Sequence, residues 1–287
     1  MYLCRMINHN GEILDIDAVH FRADFRPIQY GDALFETVKF NGESFLLWED
    51  HYFRLMASMR ILRMEIPLDW SPEFLEEQML ETIRANHMER GAVRVRLTVY
   101  RDAPGKYTPK EKIYQGFIIQ VEAWPHVEYV LNTEGLSVDV YKDHEVHESM
   151  LSNLKTTNSL LYTLAGIYAD ENDLDTALLI NKDKHIVEAV SSNVYMITGD
   201  TLTTPPLSSG ALKGVMRKHI LRSASAWGLK VEEKGFSPFD LQRADEVWLS
   251  NAMHGIQWVG QYRKKKYSNQ KALEIVTALN ESVKQGV

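Results

Sequence analysis

SNLKTTNSLLYTLAGIYA, residues 152–169, sets Lys155 directly ahead of an apolar run, and a helix is expected from Thr156 to about Asp170. The lysine amine would then project from a structured junction. Spacing alone equally allows an ordinary exposed lysine, so the weight falls on the segments that accompany it. Downstream, IVEAVSSNVYMI (186–197) puts Glu188 at the end of a short strand, followed by hydroxyls and an amide. An acid there can serve a ring nitrogen; Ser192 and Asn193 can serve a phosphate, or close a turn on their own backbone. TPPLSSGALKGVMRKHIL (204–221) places Gly210 and Gly214 just before a helix, where free N–H groups and the positive end of the helix dipole make an anion site. It lacks both the Gly-Lys-Ser/Thr ending of a phosphate-binding loop and the G-x-G-x-x-G dinucleotide fingerprint. Upstream, Arg54 stands beside the apolar stripe of a helix (48–64), either solvated or as a bidentate phosphate clamp.

Working outward, the first part of the chain reads as strands and hairpins. Asn10-Gly11 lies between MYLCRMI and EILDI, and Asn41-Gly42 between FETVKF and ESFLL, both as two-residue hairpin turns. From Trp48 the period turns helical through Tyr52, Leu55, Met56, Met59 and Leu62, until Pro67 ends the run. Ser71 caps a second helix with Pro72 at its first position, reaching about Glu89. Strands at Ala92–Tyr100 and Ile113–Glu122 flank the loop RDAPGKYTPKEK. Ala123-Trp124-Pro125-His126 reads as a linker. Beyond it, strands are expected at Leu136–Tyr141, Thr176–Asn181, Ile186–Glu188, Val194–Thr198 and Glu246–Ser250, with helices from about Val215 to Trp227 and from near Asn269. Without a regular βαβ rhythm this is an α+β arrangement. Two domains are expected, 1–122 and 130–287, joined by a linker at 123–129.

A chain of 287 residues, 45% hydrophobic, can bury a large core. Its net charge of -7 speaks against a nucleic-acid binder, and the basic run Arg263–Lys266 is short enough for a solvated turn. One cysteine, Cys4, cannot form an internal disulfide and is a poor nucleophile candidate in a terminal strand. No signal peptide and no run of roughly 18 apolar residues is present, so a cytoplasmic protein without a membrane span is expected. His144 and His147 in DHEVHES lack the H-E-x-x-H arrangement, so no metal is expected.

Six stretches, in order, are YGDALFETVKFNG, HYFRLMAS, NLKTTNSLLYTLA, IVEAVSSNVYMI, PPLSSGALKGVMR and DEVWLSNAMHGI, spanning residues 30 to 256. Taken together they resemble the class IV aminotransferases, the fold-type IV pyridoxal-phosphate enzymes, which include D-amino acid and branched-chain aminotransferases and aminodeoxychorismate lyase. The resemblance implies pyridoxal 5'-phosphate as cofactor, with Lys155 as its Schiff-base lysine and Glu188 as partner of the pyridine nitrogen. It implies Arg54 and the backbone N–H groups of Val215 and Met216 as phosphate ligands, with Ser192 and Asn193 nearby and Leu212 packed on the ring. It also implies a homodimer. Met216 replaces a threonine common in the family, and Ala189-Val190 a Gly-Ser, so phosphate contacts there are fewer.

Three pocket positions bear on which member this is. Thr37 falls where the lyases carry a catalytic threonine, and Asn251 matches their substrate-binding asparagine. Lys106 lies near where lyases and D-amino acid aminotransferases alike place a carboxylate-binding arginine, and a lysine keeps the charge without the fork. Thr37 and Asn251 favour a lyase that releases 4-aminobenzoate and pyruvate from 4-amino-4-deoxychorismate, a folate-pathway step. The alternatives are an aminotransferase for D-amino acids or branched-chain L-amino acids, and a non-catalytic carrier of the cofactor. Thr37 as a strand threonine and Asn251 as a turn residue remain open.

Overall fold

The computed structural model describes residues 5–110 and 113–284, so Cys4 lies outside the described residues. They form two compact units. One runs to Glu128 and takes in Lys155–Asn158; the other comprises Tyr129–Leu154 and the chain from Ser159 onward.

The first unit is an antiparallel sheet backed by helices. Its elements are β1 (Met6–His9), β2 (Glu12–Asp15), α1 (Arg26–Tyr30), β3 (Ala33–Phe40), α2 (Trp48–Ile61), α3 (Pro72–Ala85), β4 (Ala92–Asp102) and β5 (Tyr114–Trp124). The strand order is β2-β1-β5-β4-β3. Alternation sorts the strands into two faces. Val38 and Phe40 of β3, Val93, Val95, Leu97 and Val99 of β4, and Ile119 and Val121 of β5 are buried on one. There α2 packs on β3, and α3 on β1, β4 and β5, with Leu55, Met59, Leu75 and Met79 filling the core. Burying each such side chain stabilises the fold by about 1.5–3 kcal/mol. The Ser71 side chain accepts from Phe74 N at 3.1 Å, so α3 begins at its expected cap.

The second unit is a closed barrel. It contains β6 (Leu136–Val140), α4 (Leu160–Glu171), β7 (Thr176–Ile180), β8 (Ile186–Ala189), β9 (Ser192–Thr198), β10 (Thr201–Thr204), α5 (Val215–Ser223), β11 (Lys230–Glu233), β12 (Glu246–Asn251), β13 (Gly255–Tyr262) and α6 (Gln270–Lys284). Strands β9-β12-β13-β6-β7-β8 follow one another, and β8 pairs back with β9 to close the ring. Val138, Val140, Leu178, Ile180, Ala189, Val194, Val247 and Leu249 fill it. On the outer wall Ala177, Leu179 and Val187 meet Ala165 and Ala169 of α4. Both faces of β7 are therefore buried, and after Thr176 its ALLI reads as an unbroken apolar run. Where β13 runs beside the start of β6 the backbones almost touch. A Cβ on Gly135 would lie 2.3 Å from the Gly260 Cα, so glycine is required at both positions.

Several elements depart from expectation for physical reasons. Asn10-Gly11 makes its hairpin turn with both residues at positive φ, whereas at Asn41 the side-chain carbonyl accepts from the N–H groups of Glu43 and Ser44. Past Asn41-Gly42, therefore, only a single Phe40–Phe45 bridge forms before the chain enters α2. Residues 155–158 are extended, not helical. Phe35 N donates to Lys155 O at 2.9 Å, and Thr157 N donates to Ala33 O at 3.1 Å, which suits two β-branched threonines. The helix thus starts at Leu160. Helix α5 gives way after Ser223 to a 3-10 turn that ends at Gly228. Arg263 and Lys264 form the tip of a tight turn, exposed as expected. Among the described residues no helix is long and apolar enough to cross a membrane.

Candidate active site

In the first unit, the edge segment that pairs with β3 delivers Lys155 beside Phe35, its Nζ 4.4 Å from the ring centroid. Arg96 lies over the same ring at 3.7 Å. Phe35, Thr37 and Lys39 share the face of β3 away from α2, and the register sets Thr37 opposite Arg96 and Lys39 opposite Arg94. Thr37 therefore shares its face with Arg96, Lys39 and an Arg94 that is ion-paired to Glu122 at 3.2 Å, a net positive set. Lys39 is only 1% exposed, donates to Glu128 O at 3.0 Å, and is lowered by burial to about 8 against the pull of the Glu128 charge. Lys106 is exposed on the loop after β4, whose backbone is held by Arg26 Nη1 donating to Lys106 O at 2.6 Å.

The opposite face of β3 carries a buried charge cluster that the sequence pattern did not reveal. Glu36 is 1% exposed and receives the Arg54 fork, Nε on Oε1 at 2.8 Å and Nη2 on Oε2. Arg54 is thus neither solvated nor unrestrained: Glu36 fixes the plane of its guanidinium. His51 Nδ1 donates to Glu36 Oε2 at 2.7 Å, and its Nε2 is buried without a hydrogen-bond partner. Burial pushes the Glu36 carboxyl up, but the Arg54 charge and the His51 hydrogen bond outweigh it and hold it at about 2. Burial pushes the His51 imidazole down; Glu36 opposes this, and the Arg54 and Lys155 charges reinforce it. The pair is therefore a neutral imidazole on a carboxylate, not two ions. The signal available in the sequence was the spacing of His51 and Arg54, one turn apart on a helix facing a strand glutamate.

In the second unit, β8 and β9 set Glu188 directly opposite Asn193. Both face the outer wall. Glu188, 3% exposed, accepts from the Tyr162 hydroxyl at 2.6 Å and from Leu212 N at 2.9 Å. Asn193 Nδ2 donates to Leu212 O at 2.9 Å, so the backbone on both sides of Leu212 is held. Asn153, two residues before Lys155, donates to Leu207 O and Ala211 O at 2.9 and 2.7 Å and accepts from Lys213 N through its own carbonyl. Helix α5 then begins at Val215 with no side-chain cap, which leaves its first N–H groups for an anion. Gly214 keeps that start bare: a Cβ there would lie 1.9 Å from Asn193 Oδ1. The buried thioether side chain of Met216 carries no hydrogen-bond donor.

Ser192 and Asn251 belong elsewhere. Ser192 pairs with Ala189, on the opposite face of the wall from Glu188 and Asn193. Asn251 Nδ2 donates to Ser192 Oγ at 3.1 Å, while its Oδ1 accepts from Met253 N and His254 N at 3.0 and 2.9 Å. The two residues line a cavity of about 400 Å³ with Thr176, His254 and Gln257, and Glu188 is not in its lining. Asn251 thus holds the turn after β12. Among the described residues no cluster of three or more His, Cys, Asp or Glu side chains could hold a metal ion.

A helix-backed antiparallel sheet with a lysine on its edge segment, and a closed barrel with a buried carboxylate on its wall, are the build of a fold-type IV enzyme. The chain belongs to the amino-transferase class IV family, which it matches over residues 33–262. An aminodeoxychorismate lyase of Vibrio harveyi is 24% identical over 234 residues, 80% of this chain and 83% of that one. A D-alanine aminotransferase of Bacillus licheniformis is 26% identical over 249 residues, 84% and 83% of the two chains. The solved branched-chain aminotransferase of Thermoproteus uzoniensis with norvaline superposes with a TM-score of 0.84 at 23% identity, covering 98% of this chain and 93% of that one. The cofactor is pyridoxal 5'-phosphate. The donor chemistry fits it: a lysine amine, a guanidinium fixed in plane, a buried carboxylate and a bare helix start are what an aldehyde, a phosphate and a pyridine nitrogen require.

Proposed function

We propose that this enzyme is a 4-amino-4-deoxychorismate lyase, releasing 4-aminobenzoate and pyruvate. The observation that carries the reading is the place of Thr37 on the cationic face of β3, opposite Arg96 and beside Lys39. A substrate with two carboxylates suits such a face, and a hydroxyl within it can hand a proton to the departing enolpyruvyl group. Lys155 would hold the cofactor through its side-chain amine, and the same amine would serve as the base for the substrate's alpha proton. Arg54 and the N–H groups of Val215 and Met216 hold the phosphate. Glu188 would hold the ring nitrogen and keep a proton on it, with Asn193 fixing the adjoining Leu212 backbone. When bound, the cofactor supplies the electron sink for the carbanion left by proton removal. Water is kept from Glu188 by its burial.

A second reading is favoured by Asn251, whose amide is engaged in its own turn and the Ser192 hydroxyl. Without an amide for the substrate, transamination of a D-amino acid or a branched-chain L-amino acid becomes the activity of the same machinery. Lys106 on its exposed loop suits a substrate carboxylate in either case. A homodimer in the cytoplasm accompanies both readings.

The test is a paired assay on purified enzyme reconstituted with cofactor. It measures 4-aminobenzoate and pyruvate release from aminodeoxychorismate, and amino transfer from D-alanine, L-leucine and L-glutamate to keto acids. Lyase activity that falls about 10²–10⁴-fold in Thr37→Val supports the first reading, since one positioned proton-transfer group contributes that much. Efficient transfer with no 4-aminobenzoate replaces it with the second.

A further inference from the structure

Tyr162 lies seven residues beyond Lys155, and its ring packs against the cluster that Ala165 and Ala169 of the same helix help to form. Its hydroxyl does something else. It donates to Glu188 Oε1 at 2.6 Å, while Leu212 N donates to Oε2 at 2.9 Å, so each carboxylate oxygen has its own donor. Burial, reinforced by the Glu188 charge, pushes the Tyr162 phenol up, so it stays a donor at any working pH.

The chemistry of a carboxylate facing a pyridine nitrogen makes these donors consequential. A proton between the two can sit on nitrogen, giving an ion pair, or on oxygen, giving a neutral pair. Dry surroundings favour the neutral pair, because each charge loses its hydration. Hydrogen bonds to a carboxylate favour its charged form and so make it a weaker base. With two such bonds the balance returns to the ion pair, and the ring keeps the positive charge that draws electrons from the reacting carbon.

We propose that Tyr162 is a positioning residue for the electron sink: its hydroxyl, together with the Leu212 N–H, keeps Glu188 anionic so that the ring-nitrogen proton stays on nitrogen. This rests on the reading of Glu188 as partner of that nitrogen. The Leu212 donor is fixed because Asn193 holds the carbonyl of the same residue. The Tyr162 donor is the adjustable one, since phenylalanine removes it without changing the ring. A proton that moves from nitrogen to a Glu188 oxygen leaves every other bond as it was.

The experiment uses the full chain reconstituted with cofactor carrying ¹⁵N in its ring, with the nitrogen chemical shift as readout. Tyr162→Phe is expected to move the signal downfield, towards neutral pyridine, and to lower kcat about tenfold with KM nearly unchanged, as loss of one hydrogen bond to a charged group implies. Glu188→Gln, which cannot hold the charge, is the reference and is expected to move the signal further. A shift in Glu188→Gln with none in Tyr162→Phe overturns the role given to Tyr162 and leaves that of Glu188 standing. An unmoved signal in Glu188→Gln overturns the reading of Glu188 as the ring-nitrogen partner, and the proposal with it. A kcat loss in Tyr162→Phe without a change in shift also counts against the proposal, since a packing defect alone produces it.

Discussion

Replacing Glu36 with glutamine tests the buried cluster on β3 in a way that pH can isolate. In the folded protein the Glu36 carboxyl is held at about 2 rather than its ordinary 4.5, with the Arg54 fork and the His51 hydrogen bond outweighing the cost of burial. At 1.36 kcal/mol per pH unit, that difference is worth about 3 kcal/mol of stability. A depressed acid contributes fully above the unfolded value and loses its contribution as pH falls through the folded one. The wild-type advantage over Glu36→Gln is therefore about 3 kcal/mol at pH 7, shrinks to about 1 kcal/mol at pH 3, and is gone only below pH 2. The glutamine keeps the volume and one acceptor for Arg54, so the difference reports charge and not a cavity. Urea unfolding of both proteins without cofactor, followed by fluorescence at pH 7, 5 and 3, measures it. An advantage that stays constant from pH 7 to pH 3 would refute an ionised Glu36 as the source of the stability.

Three further outcomes follow from the same structure. His51 is held below its ordinary value chiefly by burial, so its contribution is present above about pH 6.5 and is lost on acidification below that. His51→Gln is expected to flatten the fall in wild-type unfolding free energy as pH drops below about 6.5. Arg54→Lys keeps a charge for Glu36 but loses the fork, and should weaken cofactor binding about tenfold or more, measured by equilibrium dialysis. Gly214→Ala forces a Cβ to within 1.9 Å of Asn193 Oδ1, so the Asn193 amide must leave Leu212 O. The expected result is a cofactor Kd raised about tenfold, by loss of one hydrogen bond's worth of order at the helix start, with a lowered Tm.

The long periodic elements were legible because their signals are local. The Trp48 helix, the Ser71 cap and the apolar run of β7 each declare themselves within a dozen residues. What escaped depends on distant partners. β13 contains two glycines and a mixed sequence, and its place beside β6 is permitted only because Gly135 and Gly260 can touch. Thr156 and Thr157 look like a helix entry until Ala33 and Phe35 offer their backbones. Among the residues proposed for the site, Lys155, Glu188 and the helix start at Val215 stand in stretches with enough motif to single them out from sequence. The hydrogen-bonding roles of Glu36, Tyr162 and Asn153 were hidden, Glu36 in a strand that alternates polar and apolar residues anyway and the other two as neighbours of the lysine. Asn251 was ambiguous for a physical reason: the same amide that could bind a ligand is also the best side chain for closing an Asx turn.

The excursion of residues 155–158 has a consequence for biosynthesis. The chain leaves the first unit after Glu128, returns for four residues from Lys155 to Asn158, and leaves again. During translation the β3 edge therefore remains bare, its Ala33 and Phe35 backbone groups open to water, until residue 158 has cleared the ribosome. A fragment stopped at Glu128 would carry an exposed sheet margin able to capture a strand from another copy. Separating the units by cutting between them would thus yield an aggregating piece, and a fragment that regains residues 155–158 through a designed loop would stay monodisperse.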